Sequence, residues 1–241
     1  MQNPTAAMLV IGDEILSGRT RDANMHYLAG ELTKAGIDLE EVRVVSDKPE
    51  AIIGAVQVLS ASYDHVFTSG GIGPTHDDIT ADCIAEAFGR SIDVRADARA
   101  LLEAHYEKSG LELNEARLRM ARIPDGAALI DNPVSTAPGF VVENVYVMAG
   151  VPSVFQAMVA SVLPTLTGGA PVQSDTLRVD RGEGDIAGPL GTLAEAFPAL
   201  SIGCYPFQTP TGAYGANVVI RGTDKGEIAR AMQQLEAALA E

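Results

Sequence analysis

Between residues 6 and 88, apolar runs of strand length alternate with segments of helical period, and that alternation leaves few architectures open. Residues 6–11 (A-A-M-L-V-I) are apolar throughout, as in a strand covered on both faces. After Asp22, the residues Met25, Leu28, Leu32 and Ala35 fall on one helical stripe that Gly36 stops. Residues 38–45 read as a second strand. Asp47 stands three residues before Glu50, the spacing of a capping box, and the helix behind it turns Ile52, Ile53, Val56 and Leu59 inward. Residues 64–68 form a third strand and residues 81–88 a further helix. Strict alternation implies right-handed parallel crossovers, hence an α/β domain on a mostly parallel, doubly wound sheet.

The middle of the chain reads as mostly helical. Residues 96–108 make one helix, and residues 113–121 a second, basic one associated with Arg117, Arg119 and Arg122. Those arginines suit either a solvated face or a ligand. Residues 127–130, Gly139–Val142 and Val145–Met148 are short strands, with Glu143-Asn144 as a hairpin turn between the last two. Gly150-Val151-Pro152 leads into a helix over residues 153–163. The stretch Thr167-Gly168-Gly169-Ala170-Pro171 is the expected boundary, dividing the chain into residues 1–168 and 172–241. Beyond it the order strand, helix, strand, strand, helix describes a small α+β module.

The stretch from Ser69 to Thr80, S-G-G-I-G-P-T-H-D-D-I-T, stands between the third strand and its helix. Gly70, Gly71 and Gly73 free the backbone to turn N–H groups toward one point, and the following helix N-terminus adds partial positive charge. This suits a phosphate. Asp77 and Asp78 would repel a bare phosphate, so the pair argues for a bridging divalent cation, which takes one or two carboxylates plus substrate oxygens. Gly12-Asp13-Glu14 follows the first strand and Gly150-Val151-Pro152 a later one, so three unusual loops are expected at the carboxyl ends of the sheet, where ligands bind. Asp13, Glu14, Asp77 and Asp78 can share a metal or position water, while Asp78 or Thr80 can equally cap the next helix. The sequence does not choose between Asp77 and Asp78. Pro138-Gly139 serves equally as a ligand-side turn or the start of a strand. His76 reads as a tolerated loop residue, and no serine, cysteine or histidine arrangement suggests a covalent nucleophile.

Charge bounds the partners. With 17 basic and 32 acidic residues among 241, the formal net charge is -15. This opposes nonspecific binding to nucleic acid or to an anionic membrane. Any phosphate site must then be built locally from amides and metal. Cys83 and Cys204 have no metal-type spacing and read as small buried hydrophobes in a reducing compartment. No segment has the length of a membrane span and the first apolar run lacks a basic leader, so a cytoplasmic protein is expected.

Gly12-Asp13-Glu14-Ile15-Leu16 with Gly18 and Asn24, and Gly70-Gly71-Ile72-Gly73-Pro74-Thr75 with Asp77, Asp78 and Thr80, resemble the molybdopterin-binding (MoaB/Mog-type) domain family. The likeness is closer to the N-terminal part of the competence/damage-inducible protein A (CinA) family and to the equivalent domain of eukaryotic FAD synthases. Asn132-Pro133, Thr136-Ala137-Pro138-Gly139-Phe140, Gly150-Val151-Pro152 and Ile202-Gly203-Cys204-Tyr205-Pro206 continue it. Ala149 replaces a usual proline, Ser135 a frequent glycine and Cys204 a frequent serine. The resemblance implies a three-layer α/β/α (MogA-like) domain followed by a small KH-like one, which lacks a G-x-x-G clamp for RNA. It implies a nucleotide or pterin ligand. Ser69, Gly70, Gly71, Gly73, Pro74, Thr75 and Thr80 are expected against its phosphates, with Gly12, Asn24, Pro138, Gly139, Gly150 and Pro152. Asp77 and Asp78 are expected in catalysis, and Asp13, Glu14 and Asp78 on Mg²⁺ or Co²⁺. The implied reaction is hydrolysis of the diphosphate of ADP-ribose or FAD. The alternatives are adenylylation of molybdopterin, or a module that binds molybdopterin or a nucleotide without turnover. A homo-oligomer, dimer or trimer, is also implied.

Overall fold

The computed structural model describes residues 3–210 and 212–240. The chain divides between Gly169 and Ala170 into two compact units.

In the first unit, β1 (Thr5–Ile11), α1 (Asp13–Leu16), α2 (Asn24–Ala35), β2 (Asp38–Val45), α3 (Pro49–Ser62), β3 (His65–Ser69) and α4 (Thr80–Ala87) follow in order. The chain continues through β4 (Ile92–Val94), α5 (Ala96–Ser109), α6 (Glu115–Leu118) and β5 (Arg122–Pro124). It closes with β6 (Ala128–Ile130), β7 (Gly139–Val142), β8 (Val145–Met148) and α7 (Pro152–Val162). Six strands form one sheet in the order β2-β1-β3-β8-β7-β6. The first four are parallel, and β7 and β6 reverse in turn. The β7–β8 turn is tight, with Glu143 at φ 53°.

The all-apolar β1 is explained by its neighbours. Ala7, Leu9 and Ile11 face one layer with Ile52, Val56 and Leu59 of α3 and Ile84 of α4. Ala6, Met8 and Val10 face the other layer with Leu28 and Leu32 of α2 and Phe155 and Met158 of α7. Every one of these side chains is at most 3% exposed. Burying a side chain of this size is worth about 1.5–3 kcal/mol, so a polar residue on either face of β1 would be costly. Cys83 joins this core, and burial pushes its thiol up to about 11; Cys204 is half-buried.

Several expectations are corrected. Met25 lies in the first turn of α2 and is exposed, off the stripe formed by Leu28 and Leu32. The segment after Gly12 is a single helical turn, α1, where a loop was expected. The basic helix over residues 113–121 is interrupted: α6 is one turn, residues 119–121 tighten to 3₁₀, and β5 follows at Arg122. The pair β4–β5 escaped the sequence because each strand has three residues and its partner lies about thirty positions away.

The second unit holds β9 (Gln173–Val179), α8 (Glu183–Ala196), β10 (Ser201–Gln208), β11 (Tyr214–Gly222) and α9 (Lys225–Ala240). Its antiparallel sheet runs β10-β11-β9. Ala216, Val218 and Ile220 of β11 meet Ile186 and Leu193 of α8 and Ile228, Ala231 and Leu235 of α9 in one core.

Candidate functional site

Parallel strands deliver their carboxyl ends to one edge, and four loops meet there. Gly70 donates to the Met148 carbonyl at 3.2 Å, tying the loop after β3 to the end of β8. Gly12 donates to the Val45 carbonyl at 3.1 Å, tying the loop after β1 to the end of β2. Asn24, at the start of α2, is 3% exposed and reinforces the tie between the ends of β3 and β8. Its Nδ2 donates to Ser69 Oγ at 2.7 Å and to the Gly150 carbonyl at 2.8 Å.

The glycine loop is held by the helix that follows it. Gly70 (φ 110°) and Gly71 (φ 71°) both lie in the left-handed region that side chains disfavour. A Cβ on Gly70 would stand 2.2 Å from the Ile11 carbonyl oxygen, and one on Gly71 would stand 2.1 Å from Thr80 Oγ1. Thr80 is fully buried. Its N–H donates to the Gly71 carbonyl at 2.9 Å and its hydroxyl to the Gly70 carbonyl at 3.0 Å. The N–H groups of Gly71, Ile72 and Gly73 meet no protein acceptor among the described residues, so three consecutive amides remain free to donate.

Beyond these amides lie the acids. Asp78 Oδ2 accepts from Thr75 N–H at 2.8 Å and from Thr75 Oγ1 at 2.5 Å, folding the turn on itself. Asp78 therefore does not cap α4, whose N-cap is Ile79 without a side-chain bond. The nearby Thr75 hydroxyl, and then its own N–H, hold the Asp77 carboxyl below the usual range. His76 is exposed to solvent, as a tolerated loop residue would be.

Asp47 was missed as a site residue. Its sequence spacing to Glu50 suggested a helix cap, but α3 begins with Pro49, behind an extended Lys48 that makes no side-chain cap. Proline at the first turn has no N–H to be capped. Asp47 Oδ2 instead accepts the Asp13 N–H at 2.8 Å across thirty-four residues. Burial pushes the Asp47 carboxyl up. The negative charges of Asp13, Glu14 and Asp77 add to this, against the Asp13 N–H, which favours the anion.

A cavity of about 620 Å³ opens between these loops. Gly12, Glu14 and Asp47 line one side, and Gly70, Gly71, Gly73, Pro74, Asp77 and Asp78 another. Asn132, Ser135, Ala137, Gly150 and Pro152 close the rest. No lysine or arginine is among the lining residues. Asn24 and Ser69 line a smaller adjoining cavity of about 70 Å³ instead. Pro138 borders a void behind the glycine loop, and Gly139 is buried in β7, where a Cβ would stand 2.4 Å from the Val147 carbonyl oxygen. Asn132, quoted in the sequence but not placed at the site, organises the far wall. It accepts from Val134 N–H and Ser135 N–H, and donates to Ser135 Oγ at 2.6 Å and the Ala137 carbonyl at 2.8 Å.

The expected metal triad of Asp13, Glu14 and Asp78 is not preassembled. Among the described residues no three His, Cys, Asp or Glu side chains stand close enough to hold an ion by themselves. Asp13 does not line the cavity, whereas Glu14 and Asp78 do. The carboxylates present fit an ion that takes one or two of them and completes its shell with ligand oxygens.

Comparison with known proteins decides the family. Residues 7–168 match the model of the probable molybdopterin binding domain, and residues 171–241 that of the FAD synthase middle domain. The chain belongs to the molybdopterin-binding domain family. It is 33% identical over 245 residues to Protein TK1472 of Thermococcus kodakarensis, a match covering 96% of each chain. It is 41% identical over 167 residues to a CinA-like protein of Citrifermentans bemidjiense, covering 67% of this chain and 40% of that one. It is 34% identical over 229 residues to a probable FAD synthase of Caenorhabditis briggsae, covering 85% of this chain and 44% of that one. The chain thus spans less than half the length of the last two. A crystal structure of CinA from Thermoplasma acidophilum is 34% identical, with a TM-score of 0.62, covering 68% of this chain and 99% of that one. Among the described residues no helix is long and apolar enough to cross a membrane.

Proposed function

We propose that the protein is a divalent-cation-dependent hydrolase that cleaves the diphosphate of ADP-ribose or FAD. The observation that carries this is a single cavity walled by three free amides on one side and by Glu14, Asp47, Asp77 and Asp78 around them. Amides bind phosphoryl oxygens without adding net charge. Four carboxylates with no basic residue among them would repel a diphosphate unless a cation came with it. The match of residues 171–241 to the FAD synthase middle domain supports a flavin or adenine nucleotide over other diphosphates.

In this reading Glu14 and Asp78 hold the cation, which neutralises charge on the phosphoryl oxygens when bound. Asp78 has Oδ1 available because Thr75 occupies Oδ2. The amides of Gly71, Ile72 and Gly73 orient the diphosphate. Asp47 and Asp77 position the attacking water and carry its proton toward solvent. The water oxygen bonds to one phosphorus, the bridging P–O bond breaks, and AMP leaves with a sugar phosphate or FMN.

Incubating the protein with ADP-ribose or FAD and Mg²⁺ or Co²⁺ should release AMP, and chelation should stop it. Folded protein that releases none from either substrate would refute the reading. The family model's description, a probable molybdopterin binding domain, supports molybdopterin as the ligand in a second reading; there the reaction would be its adenylylation, which ATP-dependent modification of the pterin would reveal.

A further inference from the structure

Three arginines stood out in the sequence, and none lines the main cavity. Arg122 pairs with Asp82 at 2.5 Å. Arg117 bonds the Glu112 carbonyl and lies over the Tyr106 ring at 4.8 Å. Arg119, in the 3₁₀ turn after α6, reaches the acid turn without lining the main cavity. Its Nη2 donates to the Asp78 carbonyl at 3.3 Å. Its Nε is buried and has no acceptor among the described residues. Beside it is a void of about 20 Å³ bordered by Gly71, Gly73, Asp78 and Arg119, with the Asp82–Arg122 pair on its rim.

A buried N–H requires an acceptor, and a polar void of this size holds one water. We propose that Arg119 is the positioning residue of the acid turn. Nη2 fixes the Asp78 main chain directly, and Nε fixes the loop through one ordered water in the void. Thr75 fixes the Asp78 carboxylate from the side-chain end, so the two contacts together set where that carboxylate points. The guanidinium also places a permanent positive charge against the Asp78 main chain, and Arg119 does not line the main cavity. The effect on turnover rests on the hydrolase reading; the effect on the loop does not.

Arg119→Met keeps the unbranched stem to about the Nε position and removes every donor. Exchange of the bonded amides of the acid turn, Thr75, Asp78 and Thr80, should accelerate about tenfold, as expected for losing a charge-assisted bond, while exchange in β1 stays as in the wild type. With ADP-ribose and Mg²⁺, kcat should fall about tenfold while KM stays within about twofold, the signature of a lost positioning contact. Arg119→Lys retains the charge and one donor but cannot serve both contacts, so it should fall between. Unchanged exchange in folded Arg119→Met overturns the proposal, as does a rise spread evenly over β1. If Arg119→Met does not fold, Arg119→Lys decides, and behaviour identical to wild type overturns it. If exchange rises locally but even the wild type releases no AMP, the hydrolase reading fails and the positioning role stands.

Discussion

The two units solve the same burial problem with opposite consequences for chemistry. In the first, four strands run parallel, β1, β3 and β8 buried on both faces and β2 half-exposed at the edge of the sheet, and each sends its carboxyl end to one edge. Glycines, acids and buried polar ties collect there. In the second, three strands share one core with two helices, and the central β11 runs against both β9 and β10. Only the ends of β9 and β10 share an edge, against four strand ends in the first unit. Parallel order therefore concentrates function, at the cost of crossovers such as the 75 residues between β3 and β8.

That contrast can be broken by experiment. The largest effect is expected for Gly71→Ala, which forces a left-handed backbone on a residue whose Cβ would meet Thr80 Oγ1. Turnover should fall by more than about a hundredfold, with a stability loss of about 1–2 kcal/mol in denaturant titration. Thr80→Val keeps the shape but strands the Gly70 carbonyl. It should cost about 1–3 kcal/mol and lower turnover less than Gly71→Ala does.

Asp47→Asn keeps an oxygen for the Asp13 N–H while removing a charge among Asp13, Glu14 and Asp77. Turnover should fall at least about tenfold, yet melting at pH 7 should show a gain of a few tenths of a kcal/mol, modest because solvent screens the site. The sign follows from linkage. A carboxyl raised in the folded state penalises folding while it is ionised, above its folded-state range. The penalty fades as pH falls through that range to the unfolded one. The variant's advantage should therefore shrink on acidification; an advantage that grew would contradict the repulsion. The smallest effect on turnover is expected in the other unit. Val218→Ala opens its core and should cost about 1–3 kcal/mol of that unit's stability, while AMP release at 25 °C stays within twofold. A larger drop would show that the units are not separable in function.

Much of this was legible in the sequence because the governing interactions were local or periodic. β1 could be read from its unbroken apolar run, and the loop after β3 from glycines that only unusual backbone angles demand. What stayed hidden was settled by distant partners. Asp47 satisfies a local capping pattern in sequence, yet its carboxylate is taken by a backbone amide past the end of the neighbouring strand, thirty-four residues away. Residues 119–121 resemble the end of a basic helix until β5 is seen pairing with β4. Arg119 looks like any solvated arginine until its partner, a main-chain carbonyl, is known. Backbone acceptors leave no trace in side-chain identity.

The double attachment of Thr80 fixes which wall of the site can yield. Its amide and hydroxyl belong to α4 but end on the glycine loop, so that rim opens only if the first turn of the helix unwinds. Across from it, Thr136 holds a left-handed backbone (φ 67°) with its hydroxyl against His105 Nδ1 at 3.0 Å. Under the proposed function, a diphosphate would then rest on a fixed glycine loop, and ligands of different bulk would be told apart at the segment around Thr136.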